Sequence, residues 1–307
     1  MPVQVKKRIV LLLIAFLIFS LAGCGGNNTD AVQQLSLSAE SEDIKIVTSF
    51  YPMYLMAANI AKDIPGVEVV NMTEPITGCL HDYQFTPKDL KCLTDADFMV
   101  INGAGMESFL DKVIDGCPEL KLIEASRGLE LIKDEHSGEP NPHLWVSVSY
   151  AIDQVKNIRD QLKELDAGHA EKYQENADVY LSKLDALRQK MHESLDDISG
   201  RDIVAFHDAF PYFAQEFNLN IVAVIEKDSG SEPSAGELAD CINTIKKTGV
   251  KTIFAEPQYP AKTAEVIARE TGATVYALDP AVTGPMDLDS YFTIMEKNME
   301  TLREALH

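Results

Sequence analysis

Three histidines and one aspartate stand where short apolar runs end, or in the chain just beyond them. His81 lies in Gly78-Cys79-Leu80-His81-Asp82-Tyr83, after the run 67–72. His143 lies in Asn141-Pro142-His143-Leu144-Trp145, His207 closes the run 202–206, and Asp279 follows the run 274–278. One histidine in such a place is usually a surface or packed core residue; four donors at the same kind of place weigh together. Imidazole is a borderline-soft ligand that suits zinc, and one carboxylate completes a tetrahedral set of three nitrogens and an oxygen. With neutral imidazoles the filled site would carry a net charge of about +1. Glu226, in Ile225-Glu226-Lys227-Asp228, is expected in a loop near the same edge, as a candidate hydrogen-bond partner for a ligand histidine.

The elements that must position these residues alternate. Short, often β-branched runs at 44–49, 67–72, 98–102 and 121–124 read as strands, with helical patterns at 52–63, 87–94 and 107–115 between them. A charged, Leu- and Ala-rich stretch from 147 to 197 has helical periodicity, with a break expected at Ala167-Gly168. Strands then recur at 202–206, 220–225, 252–255 and 274–278, with helices at 209–217, 234–247, 261–271 and 288–305; Ser234 and Ser290 suit helix starts. The fold class expected is α/β, two lobes each with a mainly parallel sheet flanked by helices, joined by one long backbone helix. The divisions are 43–146, 147–199 and 200–307. Ligands of open parallel sheets sit beyond the carboxyl ends of strands, which is where the four donors fall.

The first residues belong to targeting rather than fold. Lys6-Lys7-Arg8 precedes an apolar run from 9 to 22, too short to span a bilayer comfortably, and Leu21-Ala22-Gly23-Cys24 has the pattern of a bacterial lipobox. Residues 1–23 read as a lipoprotein signal peptide, Cys24 as the lipidated terminus, and 24–42, rich in Gly, Asn and Ser, as a flexible tether. The formal charge is −21, and removal of 1–23, which holds three basic and no acidic side chains, makes it −24. Such an acidic surface argues against nucleic acid or anionic lipid headgroups as partners. Cys79, Cys92, Cys117 and Cys241 form no C-x-x-C pair, so spacing assigns no disulfide.

Several passages together resemble a known family. Val47-Thr48-Ser49-Phe50-Tyr51-Pro52, His81-Asp82-Tyr83-Gln84-Phe85-Thr86-Pro87, Asn141-Pro142-His143-Leu144-Trp145, Phe206-His207-Asp208-Ala209-Phe210, Glu232-Pro233-Ser234-Ala235-Gly236-Glu237-Leu238 and Ile253-Phe254-Ala255-Glu256-Pro257-Gln258 resemble, in order and spacing, the zinc and manganese solute-binding proteins of ABC importers (cluster A-I). The resemblance covers nearly all of the chain after the tether. It implies a metal held between two lobes, with His81, His143, His207 and Asp279 at the ligand positions. Histidine at the third position places the chain in the zinc-binding branch, since manganese-type members commonly carry Glu there and Mn²⁺ prefers oxygen. Two features depart from the pattern. The region before the second ligand holds only His136 where many zinc-type members have a His-rich loop, and Cys79 stands where a small residue is usual.

The resemblance thus implies an extracytoplasmic lipoprotein, monomeric and tethered to the bacterial cell membrane, that captures Zn²⁺ and delivers it to the membrane permease of an ABC importer. A manganese-binding member of the same transport family is the alternative. A zinc hydrolase fits less well: no H-E-x-x-H pattern is present, and a fourth protein ligand would displace the attacking water. On release of the ion, the loop carrying His81 is expected to rearrange more than the lobes do.

Overall fold

The computed structural model describes residues 43–75, 79–81, 83–133, 138–226, 233–258 and 262–307. The signal peptide, Cys24, the tether, Asp82, His136 and Glu232 lie outside the described residues. In chain order the elements are β1 (Ile44–Thr48), α1 (Tyr51–Ile60), β2 (Val67–Asn71), α2 (Pro87–Thr94), β3 (Phe98–Ile101), α3 (Leu110–Gly116) and β4 (Lys121–Glu124). A single 3-10 turn, Leu144–Val146, leads into α4 (Val148–Leu165) and α5 (Ala170–Leu195). The second half is β5 (Asp202–His207), α6 (Pro211–Glu216), β6 (Asn220–Glu226), α7 (Ala235–Thr248), β7 (Thr252–Ala255), α8 (Lys262–Thr271), β8 (Thr274–Ala277) and α9 (Ser290–Leu306).

Each half builds a four-stranded parallel sheet of the same order, β2-β1-β3-β4 and β6-β5-β7-β8. The central strands explain the pattern: β3 and β7 are buried throughout, as strands covered on both faces must be. The α/β architecture with two parallel sheets is therefore the one the sequence led us to expect. The helical stretch is two helices, separated at the expected break. There Asp166 Oδ2 accepts the Tyr173 hydroxyl at 2.8 Å and contacts His169 Nδ1 at 2.7 Å.

Helix α5 has 26 residues, so it runs ~39 Å. Tyr173, Ala177, Tyr180, Leu184, Leu187, Met191 and Leu195 make one buried seam at three- and four-residue spacing. Asn176 Nδ2 donates to the carbonyls of Ile60 and Lys62, fastening the seam to the end of α1. A continuous apolar core includes this seam, the first sheet, α1, α4, α9 and Phe254 of β7. A smaller core under α7 and α8 uses the alternate residues Val204 and Phe206 of β5, the period-two signature of a strand.

Three helix starts differ from expectation for local reasons. Helix α3 begins at Leu110 rather than near Glu107, because the Glu107 carboxylate accepts the N–H groups of Asn102 and Gly103. Helix α6 begins at Pro211, where the missing N–H costs nothing. Ser290 is the first helical residue rather than the cap, and its hydroxyl donates to the Pro285 carbonyl. Ser234 caps α7 as expected, in a reciprocal pair with Glu237.

Candidate metal centre

Cys79 and His81 lie in the connection from β2 to α2. The end of that connection next to α2 is pinned. Thr86 and Asp89 form a capping box, Pro87 occupies the first turn of α2, and the Tyr83 hydroxyl donates to Asp89 Oδ2 at 2.9 Å. Leu80 is fully buried between Cys79 and His81, and the rings of Tyr83 and Phe85 pack on Phe109 at 5.6 and 5.4 Å.

His143 precedes the 3-10 turn and is almost wholly buried. Asn141 Oδ1 accepts the His143 backbone N–H at 3.0 Å and lies 3.1 Å from its Nδ1. A proton on Nδ1 satisfies that contact and leaves the Nε2 lone pair for a ligand. Asn141 is itself held, because its Nδ2 donates to the carbonyl and carboxylate of Asp208, and its carbonyl accepts the Tyr212 hydroxyl. Trp145, whose Nε1 donates to the Pro280 carbonyl, packs beside the His143 ring at 5.3 Å.

His207 ends β5 and pairs in register with Glu226, the last residue of β6. Glu226 therefore stands at a strand end, not in a loop, and its backbone hydrogen-bonds His207.

The nitrogens converge. His81 Nε2 lies 3.2 Å from His143 Nε2, and His207 Nε2 lies 3.4 Å from it. Two imidazole nitrogens on a tetrahedral zinc, each at about 2.0–2.1 Å, stand about 3.4 Å apart, so this spacing matches that of an ion-bearing site. Cys79 Sγ is 3.7 Å from the same Nε2, and the donor atoms of Cys79, His81, His143 and His207 all lie within 4.8 Å of one another.

Burial, reinforced by the neighbouring imidazoles, holds His143 well below the usual histidine range and His207 at about 4. Both rings are therefore neutral near pH 7, the form that ligates. Burial, together with the charge of Glu256, pushes the Cys79 thiol well up.

Asp279 is not among the four converging donors. Its backbone N–H donates to Asn298 Oδ1, its carbonyl accepts Asn298 Nδ2, and its Oδ1 accepts the Ala281 N–H at 2.8 Å. It belongs instead to a row of acids at the carboxyl ends of β6, β7 and β8: Glu226, Glu256 and Asp279. Glu256 is buried, with Oε2 accepting Gln258 Nε2 at 2.6 Å and Oε1 lacking a partner among the described residues. Burial, then Asp279, then Glu226 push its carboxyl well above the ordinary range. The four cysteines of the described residues are free thiols.

Two contributors escaped the reading of the residues. Asn141 orients His143, and the Asn-Pro-His triplet is a signal that could have found it, since Asn side chains bond backbone groups two residues on. Glu256 carries no local signal, because its importance comes from its burial beside two other acids.

Residues 46–305 match the family described as zinc-uptake complex component A, periplasmic. The chain is 30% identical to the high-affinity zinc uptake system protein ZnuA of Bacillus subtilis, with 98% of each chain covered. It is 27% identical to the manganese-binding lipoprotein MntA of Halalkalibacterium halodurans, over 93% of this chain and 94% of that one. Among solved structures, the solute-binding protein FpvC of Pseudomonas aeruginosa in complex with Mn²⁺ superimposes with a TM-score of 0.79 at 30% identity, covering 86% of this chain and 99% of that one.

Proposed function

Because the chain belongs to the family of periplasmic zinc-uptake components, we propose that its histidine cluster captures Zn²⁺ outside the cytoplasm for delivery to an ABC importer. The observation that carries this reading is the pair of Nε2···Nε2 separations, 3.2 and 3.4 Å, between neutral, buried rings supplied by three distant parts of the chain. His81, His143 and His207 are the nitrogen donors. The fourth corner has two candidates: Asp279, which the family pattern puts forward, and Cys79, which stands within reach of the nitrogens. Glu226 acts through its backbone, fixing the His207 ring.

Transport rather than catalysis follows from the family and from the donor set. Catalytic zinc keeps one position for water, whereas three imidazoles and an anionic side chain close the tetrahedron. Manganese is the second reading, favoured by the names of two of the relatives. Three nitrogen donors weigh against it, because Mn²⁺ prefers oxygen.

Lipidation at Cys24 would tether the protein by residues 24–42 to the bacterial membrane, beside the permease that receives the ion. All the proposed donors come from one chain, so the site would be complete in a monomer. The long seam of α5 favours release by movement of the His81 connection rather than by large closure of the lobes. Competition titration of metal-free protein tests the reading: zinc should bind 1:1 and outcompete manganese. Tighter binding of manganese would move the protein to the second reading, and failure to bind either ion would remove the function.

A further inference from the structure

We infer that Cys79 ligates the cargo ion directly, as a thiolate, and biases the site toward soft divalent cations such as Zn²⁺ and Cd²⁺ over Mn²⁺. The inference rests on the histidine cluster being the metal site. Its own support is geometric. A zinc–thiolate bond of about 2.3 Å and a zinc–nitrogen bond of about 2.0–2.1 Å, at the tetrahedral angle, put sulfur and nitrogen about 3.6 Å apart. Cys79 Sγ stands 3.7 Å from His143 Nε2, in a group where every donor is within 4.8 Å of the others.

Three nitrogens and one sulfur therefore form a set of the Cys-His₃ kind that small side-chain adjustments would close on one ion. Asp279 Oδ1 accepts the Ala281 N–H, and the carboxylate lies outside the converging group, so it would have to move toward the cluster to join it through Oδ2. Leu80, fully buried, stands between Cys79 and His81. Residues two apart in this loop thus both face the ion, while the thiol is half-buried and bridged to no other cysteine.

On binding, the S–H bond breaks, a sulfur–metal bond forms and the proton passes to water; no oxidation state changes. Thiolate is a soft donor that discriminates strongly against Mn²⁺ and suits Zn²⁺ and Cd²⁺.

The test uses the reduced, metal-free full chain titrated with Co²⁺ alone. Visible ligand-field bands report four-coordinate binding, and a near-ultraviolet sulfur-to-cobalt charge-transfer band reports the thiolate. Wild type should show both. Cys79→Ser should keep the visible bands and lose the charge-transfer band, whereas Asp279→Asn should keep both. Cys79→Ser should also weaken Cd²⁺ binding by more than the roughly 10–100-fold typical of losing an outer-sphere partner. Its affinity for Mn²⁺ should change less than that for Cd²⁺. Visible bands without charge transfer in the wild type would overturn the role of Cys79 and leave the histidine site standing. Charge transfer persisting in Cys79→Ser would do the same, assigning the band to another cysteine. Failure of Co²⁺ to bind would remove both readings.

Discussion

The two sheets have the same strand order, yet their carboxyl ends do opposite work. Beyond the first sheet, one buried carboxylate and one buried amide gather most of the polar contacts, although Gln154 Oε1 and Thr73 Oγ1 have no partner among the described residues. Glu107 accepts Ser49 Oγ and the N–H groups of Asn102 and Gly103. Asn102 donates to the carbonyls of Gly103 and Pro142 and accepts Gln154 Nε2. Beyond the second sheet stand His207, Glu226, Glu256 and Asp279, four titratable groups, and Glu256 Oε1 has no partner among the described residues. One end is a frame and the other holds the chemistry. The first half supplies its donors from connections further out, and the frame reaches them through the Pro142 carbonyl, next to His143. A network of uncharged amides and one carboxylate holds one geometry, whereas imidazoles and carboxylates gathered at a rim can also take a cation.

The largest test of this contrast is His143→Ala. It removes the nitrogen nearest to the three other donors, so zinc affinity in a chelator competition should fall by more than ~100-fold, beyond the usual effect of an outer-sphere partner. A smaller loss would show that the frame, not the cluster, dominates binding.

Acid should expose the second rim next. His207 is held at about 4 in the folded chain against an ordinary 6.5, so the unfolded chain takes up a proton first as pH falls. Its contribution to the stability of the metal-free protein is complete above pH 6.5 and is lost as pH drops toward 4. The size is about 3 kcal/mol. Denaturant midpoints across that window should drop for the wild type and drop less for His207→Gln, in which buried His143 still resists protonation.

The frame should respond differently. Glu107→Ala strands the Ser49 hydroxyl and two buried N–H groups, for a loss of roughly 2–3 kcal/mol in urea denaturation. Zinc affinity of the folded fraction should stay within about tenfold of wild type, since affinity follows the donors. A binding loss as large as that of His143→Ala would erase the distinction between frame and site.

The smallest effect is expected at Glu256. Burial and two neighbouring carboxylates push its carboxyl well above the ordinary range, so Glu256→Gln keeps the shape and removes a charge that its surroundings disfavour. Thermal unfolding near pH 7 should shift by no more than about 1 kcal/mol in stability. A much larger loss would mean that the carboxylate is ionised and paired.

Much of the fold is legible along the chain. Strands such as β4 and β7 and the helix α2 coincide with their expected spans, because β-branched runs and a Thr-Pro-x-Asp start carry their own signals. Boundaries governed by distant partners are not. The start of α3 depends on where the Glu107 carboxylate goes, and Glu226 is in β6 because it pairs with His207. The candidate cluster was legible in part. Three histidines could be named from their places beyond strands, whereas the standing of Cys79 and Asp279 relative to them could not.

Residue types and their order determined that this chain would alternate strand and helix, carry imidazoles at strand ends and present an acidic surface. Those properties are local, set by side-chain periodicity and chemistry. Only the tertiary structure decided that His81 and His207, 62 and 64 residues from His143, would bring their nitrogens to 3.2 and 3.4 Å of it. It also decided that a sulfur would stand beside them. Distances of that size are fixed by how two sheets and a long helical seam pack, and no single segment contains that information.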